Sequence, residues 1–146
     1  MAAFEGTHTE SRDLPVSAEA AAAHFADPAA IVAATKDVEK ADIDGDTVHF
    51  LLKEEDHGIM KFQGDYRCRY VREGNVVRWE TLEGNTDQSG EATFVDAGDG
   101  CKMNYTETVK VELPVPSMMA PMLKPVISAL LTSTMGDYVK AMSKSL

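Results

Sequence analysis

Basic residues are scarce in this chain. Fourteen lysines and arginines stand against 24 aspartates and glutamates, so the 146 residues carry a formal net charge of −10 at pH 7. A nucleic-acid partner requires a basic surface that neutralises phosphates, and none is therefore expected. The same charge argues against electrostatic docking onto anionic lipid. It leaves the binding of an uncharged apolar molecule open.

Thiol and imidazole groups are few and scattered. Cys68 and Cys101 stand alone in strand-like stretches, which predicts buried thiols rather than a disulfide or a metal pair. The histidines have no spacing typical of a zinc site, and no metal is expected; they are His8, His24, His49 and His57. The run Asp42–Asp46 resembles a calcium loop only superficially, because its glycine comes too early and Lys53 stands where the closing glutamate belongs. No phosphate loop, dinucleotide fingerprint or nucleophile elbow occurs, so no cofactor is expected.

Long apolar runs are also missing. A membrane-spanning helix needs about 20 consecutive apolar residues, and even the most apolar stretch is interrupted by Lys124 and two prolines. No charged-then-apolar signal segment opens the sequence, which makes a cytoplasmic location the default expectation. The length, with 44% hydrophobic and 26% charged residues, predicts one domain spanning residues 1–146.

The C-terminal run Ser117–Leu146 is the one long stretch with helical periodicity. Its apolar residues recur at spacings of three and four, which places them on one broad helix face. They are Met119, Leu123, Ile127, Leu130, Leu131, Tyr138 and Met142. Ser117 is the predicted N-cap, and Pro121 and Pro125 restrict where the regular helix begins. The broad apolar face predicts burial under a concave sheet.

Almost everything before this helix is predicted to be strand and turn. A first strand covers about residues 4–12, and two short helices follow at Ala18–Phe25, capped by Ser17, and at residues 29–34. Their small side chains favour a lid or a corner over a core element. From residue 38 to residue 113, alternating stretches between tight turns predict an antiparallel six-strand meander. Its clearest member is a long strand, Ile59–Arg72.

This order of elements resembles the helix-grip fold of the START-like superfamily, also called the Bet v 1 or polyketide-cyclase-like superfamily. The motifs that carry the resemblance are Leu14-Pro15-Val16-Ser17, Phe25-Ala26-Asp27-Pro28 and Gly100-Cys101-Lys102-Met103-Asn104-Tyr105-Thr106. The run Val38-Glu39-Lys40 and the strand from Phe62 to Tyr70 are most similar to the branch typified by the G-type subunit of carbon monoxide dehydrogenase. The resemblance implies an α+β fold in which a curved antiparallel sheet of about seven strands wraps around the C-terminal helix. It also implies a cavity between sheet and helix that accepts apolar molecules.

Large side chains on the predicted inner face of the sheet and on the apolar helix face form the candidate binding site. They are Phe50, Leu52, Phe62, Tyr66, Tyr70, Trp79, Phe94, Tyr105, Glu107, Leu123, Ile127 and Leu130. The set has two interpretations. The first is a solid core packed against the helix, since closely packed cores are the rule. The second is the wall of a pocket with a few polar groups, because tyrosine hydroxyls inside a protein need hydrogen-bond partners.

Glu107 is the anomaly in this set, because alternation places it on the inner face with Tyr105 and Val109. A buried carboxylate has a raised pKa and is a candidate general acid or base, or a hydrogen-bonding anchor for a ligand. The alternatives are a bulge that turns it outward, or a pairing with an inward Arg12 or His8.

The favoured function is non-catalytic binding or carrying of a hydrophobic small molecule, such as a lipid, a polyketide or a quinone-like compound. The first alternative is a cyclase, dehydratase or hydrolase-like enzyme, in which Glu107 is the acid or base and Tyr66 or Tyr105 orients the substrate. The second is a protein-interaction accessory subunit. The identity of the ligand, any partner enzyme and the choice between monomer and dimer stay open.

Overall fold

The structure is a computed structural model that describes residues 1–56, 58 and 60–146. The elements in chain order are β1 Ala2–Leu14, α1 Ala18–Phe25, α2 Pro28–Ala34, β2 Val38–Asp44, β3 Thr47–Leu52, β4 Glu55–Asp56, β5 Lys61–Phe62, β6 Asp65–Glu73, β7 Val76–Gly84, β8 Thr86–Ala97, β9 Gly100–Leu113 and α3 Ala120–Lys144. The predicted α+β helix-grip fold is confirmed, with two short helices after the first strand and one long helix at the end.

The main sheet has seven strands in the order β1-β9-β8-β7-β6-β3-β2, and every pairing is antiparallel. Consecutive strands joined by short turns are neighbours, as the predicted meander requires. The first strand pairs with the last over an unbroken ladder from Ala2↔Leu113 to Leu14↔Cys101. The predicted topology is therefore confirmed.

The predicted long strand Ile59–Arg72 is wrong in its first part. Residues 61–62 form β5, which pairs with β4 in a separate two-stranded sheet, and β6 begins only at Asp65. Gly64 lies at the break, where its carbonyl accepts a hydrogen bond from the Leu52 N–H at 2.8 Å. His57 and Ile59, which the predicted turn and strand include, lie outside the described residues.

Along β6 the predicted facing is confirmed. Tyr66 and Tyr70 are each only 6% exposed, whereas Arg67 and Arg69 are exposed between them. Because strand side chains alternate, this register directs the aromatic residues of β6 to the face that α3 covers.

The short helices form where they were predicted, but α1 has a different role. Ser17 caps α1 by accepting a hydrogen bond from the Ala20 N–H at 3.1 Å. The helix buries Phe25 and three alanines against the sheet, and Phe25 packs on Phe94 with ring centroids 5.3 Å apart. The small alanines allow this close approach, so α1 belongs to the core and the lid interpretation is wrong for it. Only the end of α2 reaches the cavity described below.

The long helix begins at Ala120, after a 3-10 turn at Ser117–Met119. The predicted N-cap role of Ser117 is wrong, because no side chain caps α3; the Ser117 hydroxyl donates to the Met1 carbonyl at 3.4 Å instead. Pro125 lies inside the helix. It is tolerated near the N-terminus because the hydrogen bond it removes is one of the first of the helix.

Burial along α3 is uneven, contrary to the expectation of one continuous buried face. Its buried residues all lie in the second half: Met135, Val139 and Met142. In the first half, Leu123 and Ile127 are partly buried and Leu130 is 51% exposed. The core is correspondingly divided into a large cluster around α1 and the end of α3, and a smaller one around Phe4, Val111 and Leu113.

A glycine in β1 sets how closely α3 approaches the sheet. A Cβ atom at Gly6 would lie 2.8 Å from the Cβ of Leu131 and 3.1 Å from the carbonyl oxygen of Ser128. The Ser128 hydroxyl donates to the Glu5 carbonyl at 2.6 Å at the same contact. The helix backbone therefore lies directly on the edge strand.

We predict opposite effects for the two glycines of this interface. Gly6→Ala should destabilise the protein by about 1–3 kcal/mol, because the methyl group overlaps the helix backbone. Gly136→Ala should be neutral or stabilising by up to about 1 kcal/mol, because alanine favours the helix and its Cβ would meet His8 at an ordinary 3.6 Å. Urea unfolding of both variants measures this. Equal stability of the two would show that the close approach at Gly6 is not rigid.

Candidate functional site

A cavity of about 380 Å³ lies between the sheet and α3. Its lining includes Phe50 and Tyr66 from the large core cluster and Val111 and Leu113 from the smaller one. Protein interiors are usually packed without voids of this size. The volume falls within the range of small-molecule pockets, which are concave and mostly apolar.

Ten of the twelve predicted site residues line this cavity. They are Phe50, Leu52, Phe62, Tyr66, Tyr70, Trp79, Glu107, Leu123, Ile127 and Leu130. Alternation along the strands and the helical period of α3 explain the agreement, because the two inner faces must meet.

Phe94 and Tyr105 are not among the residues that line the cavity, and their contact with a ligand stays a prediction. Phe94 is at the end of the core that α1 fills, where it packs against Phe25. Tyr105 is 1% exposed and lies behind Trp79, with ring centroids 5.3 Å apart. Both face inward as predicted, but other side chains separate them from the open space.

The polar lining residues outside the predicted set include Thr86, Gln88 and Tyr138. Thr86 and Gln88 alternate along β8 in phase with Ala92 and Phe94. Alternation would therefore place them on the inner face if the predicted strand began at Thr86. Gln88 donates to the hydroxyl of Tyr70 at 3.4 Å. Tyr138 belonged to the predicted apolar helix face, but periodicity does not show that its hydroxyl reaches a cavity.

The cavity opens beside the middle of α3. Its exposed lining residues mark the rim: Val126, Leu130, Thr134 and Asp137 on α3, Lys36 after α2, and Lys53 and Glu55 before and in β4. Of the two short helices that were predicted to form a lid, only the end of α2 borders this opening.

Glu107 is inside, as alternation predicted, and it is 7% exposed. The indole N–H of Trp79 donates to its Oε2 at 2.8 Å, and the hydroxyl of Tyr105 donates to its Oε1 at 3.1 Å. The ladders of β9 with β1 and β8 are unbroken there, which rules out the bulge. The carboxyl group is thus held by two neutral donors at the wall of the cavity.

The contact between Trp79 and Glu107 depends on a glycine between them. Cross-strand pairing places His8, Glu107, Gly90, Trp79 and Tyr70 in one row across five strands. A Cβ atom at residue 90 would lie 2.5 Å from Cζ2 of the indole ring. The indole therefore lies across the backbone of β8, and its N–H reaches the carboxyl group two strands away.

The alternative of an ion pair between Glu107 and Arg12 or His8 is not realised. Both residues bind Glu10 instead, with Arg12 Nε 2.9 Å from Oε2 and His8 Nε2 2.9 Å from Oε1. Burial raises the pKa of Glu107 to about 7, although the hydrogen bonds from Trp79 and Tyr105 and the charge of His8 act to lower it. A buried carboxyl group with this pKa changes its charge near neutrality.

Among the described residues, no three histidine, cysteine or acidic side chains are grouped as metal ligands. Cys68 and Cys101 are free and buried, as predicted. No helix in the described part of the chain is long and apolar enough to cross a membrane.

The fold is shared with solved structures along nearly the whole chain. A START superfamily protein from Mycobacterium smegmatis has a TM-score of 0.70 at 17% identity over 95% of both chains. The Zhui aromatase/cyclase from Streptomyces sp. R1128 has a TM-score of 0.66 at 13% identity, over 99% of this chain and 93% of its own. Truncated norcoclaurine synthase from Thalictrum flavum has a TM-score of 0.63 at 13% identity, over 99% and 94%. No family profile and no curated protein matches the chain.

These likenesses confirm the predicted helix-grip fold. A fold shared at such low identity does not by itself assign a function. The placement in the branch related to carbon monoxide dehydrogenase stays a prediction.

The raised pKa of Glu107 predicts a pH-dependent stability. The folded protein keeps this proton up to about pH 7, whereas the ordinary value is 4.5. Because the folded state binds more protons between these values, the free energy of unfolding should fall as the pH rises through the window. Relative to Glu107→Gln, the wild type should lose up to about 3 kcal/mol between pH 5 and pH 8. Urea unfolding at several pH values measures it, with Glu112→Gln as an exposed control on the same strand. Parallel curves for wild type and Glu107→Gln would contradict the assignment.

The glycine beneath the indole gives a second prediction. Gly90→Ala should displace Trp79, break its hydrogen bond to Glu107 and destabilise the protein by about 1–3 kcal/mol. Trp79 is the single tryptophan, so its fluorescence emission reports the displacement directly. Ser89→Ala, on the opposite face of the same strand, should leave the emission unchanged. An unshifted spectrum for Gly90→Ala would refute the packing described here.

Proposed function

We propose that this protein binds or carries a hydrophobic small molecule in the cavity between the sheet and α3. The observation that carries the proposal is the cavity itself, about 380 Å³ of space walled largely by apolar and aromatic side chains and open at one side. Leaving such a space unfilled forfeits packing interactions that a closed core would make. An apolar ligand recovers them, at roughly 25 cal/mol for each Å² of apolar surface removed from water.

Filling the cavity from α3 tests this proposal. Ile127 is partly buried and lines the cavity, whereas Ala129 is exposed on the other side of the helix. Ile127→Trp should weaken binding of the neutral fluorescent probe N-phenyl-1-naphthylamine about tenfold or more, equivalent to about 1.4 kcal/mol. Ala129→Trp adds the same side chain at the surface and should bind the probe like the wild type. Equal binding by the two variants, or no binding by the wild type, would reject the proposal.

An enzymatic function is the second candidate, and Glu107 is the observation that favours it. A carboxyl group with a pKa of about 7 is suited to proton transfer at neutral pH. Against this, both of its oxygens already accept hydrogen bonds from Trp79 and Tyr105. Replacing Glu107 by glutamine should lower the rate of such an enzyme about 10²–10⁴-fold. It should leave a carrier's affinity for the neutral probe nearly unchanged, because burial of apolar surface dominates that affinity.

The third interpretation is a protein-interaction subunit, which has no need of an open cavity inside its core. The cavity therefore favours the two ligand-based functions over it.

A further inference from the structure

The charges around the cavity are unevenly distributed. Glu107 is the one buried ionisable carboxyl group among the described lining residues, and the other charged lining residues, Lys36, Lys53, Glu55 and Asp137, are exposed at the rim. An anionic head group placed deep in the cavity would thus meet a carboxylate and no cation. Since an unpaired charge in an apolar environment is strongly unfavourable, the inner part of the cavity disfavours acids.

Glu107 makes no ion pair among the described residues. Its hydrogen bonds come from Trp79 and Tyr105, which are neutral. His8 is its cross-strand neighbour and its charge acts on Glu107, but the His8 side chain binds Glu10, as does Arg12. Buried charges in proteins are normally compensated by an opposite charge, and here the compensating group is left for a ligand to supply.

Two tyrosine hydroxyls in the same cavity are unused. Neither Tyr66 nor Tyr138 makes a hydrogen bond within the described residues, and neither hydroxyl is fully enclosed, so both are open to the cavity. Burial, with smaller contributions from the charges of Cys68 and Glu107, raises the pKa of each hydroxyl, which keeps both protonated. Their oxygens remain available as acceptors.

We propose that the cavity selects apolar molecules that carry a protonated amine, with the ammonium group placed against Glu107; this rests on the ligand-binding function proposed above. An ammonium group has three donors, and Glu107, Tyr66 and Tyr138 all line the cavity with oxygen atoms that can accept from it. The aromatic lining favours the same group, because the ring faces of tryptophan and tyrosine attract cations. The apolar body of the ligand extends toward Phe62 and Ile127.

Three ligands with the same chain test the selection: decylamine, decan-1-ol and decanoate. Competition against N-phenyl-1-naphthylamine at pH 8.5 should show decylamine binding about tenfold or more tightly than decan-1-ol, the size expected of a charge-assisted hydrogen bond. Decanoate should bind most weakly. Equal affinity for the amine and the alcohol, or tightest binding of decanoate, would overturn the proposal.

Variants separate the local effect from the overall negative charge. Glu107→Gln should abolish the preference for the amine over the alcohol, and Tyr66→Phe should reduce it. Glu112→Gln removes the same charge from the exposed face of β9 and should keep the preference. Loss of the preference in Glu112→Gln, or its persistence in Glu107→Gln, would assign it to the net charge instead.

The pH dependence in the wild type gives a test that needs no variant. Several titratable groups interact electrostatically with Glu107. They are His8 from β1, Tyr66, Cys68 and Tyr70 from β6, Tyr105 from β9 and Tyr138 from α3. Binding an ammonium group requires the ionised carboxylate, so below about pH 7 each binding event must release one proton from Glu107 to solvent. The dissociation constant of decylamine should therefore rise about tenfold for each unit by which the pH falls below this value, and that of decan-1-ol should stay constant.

Histidine is the other residue type that titrates near neutrality, and His8→Gln is the control: it should keep the pH dependence of decylamine binding. A flat profile for decylamine in the wild type, or one abolished by His8→Gln, would reject the role of Glu107. If decan-1-ol binds but the amine has no advantage, only this inference fails. If none of the three ligands binds, the proposed function fails with it.

Discussion

The close contact between α3 and the edge strand β1 is the constraint on which the site depends. Gly6 lets the helix backbone lie directly on that strand, and the Ser128 hydroxyl bonds to the Glu5 carbonyl there. The second half of the helix buries Met135 and Val139 in the core, whereas the first half has no buried residue. A helix held along one edge of the sheet and packed only at its end leaves space over the middle strands. The cavity is that space.

Glu107 is a carboxyl group buried in the largely apolar wall of the cavity. The low-dielectric surroundings disfavour the charged form of Glu107, and the hydrogen bonds from Trp79 and Tyr105 only partly offset this. A structure optimised for stability alone would place an apolar side chain at this position, because removing a buried polar group together with its partners is often neutral or stabilising. Keeping the carboxyl group there lowers stability at neutral pH, and this is typical of residues that act on a ligand.

Much of the site could be predicted from the sequence because strands and helices have fixed periods. Alternation along β6 placed Tyr66 and Tyr70 inside, and the same rule placed Glu107 on the inner face. The rule also placed Phe94 inside, but there it meets Phe25 and does not line the cavity. Periodicity assigns a residue to a face of the sheet. It carries no information about which part of that face another element fills.

The sequence by itself determined the order of elements, the antiparallel meander and the facing of most side chains. Those features follow from local patterns of polarity, glycine and proline, which act within a few residues. Only the tertiary structure decided that Trp79 crosses Gly90 to bond Glu107, and that half of α3 covers a void. These depend on distances between residues far apart in the chain, set by the packing of the whole helix on the sheet. No local pattern encodes such distances.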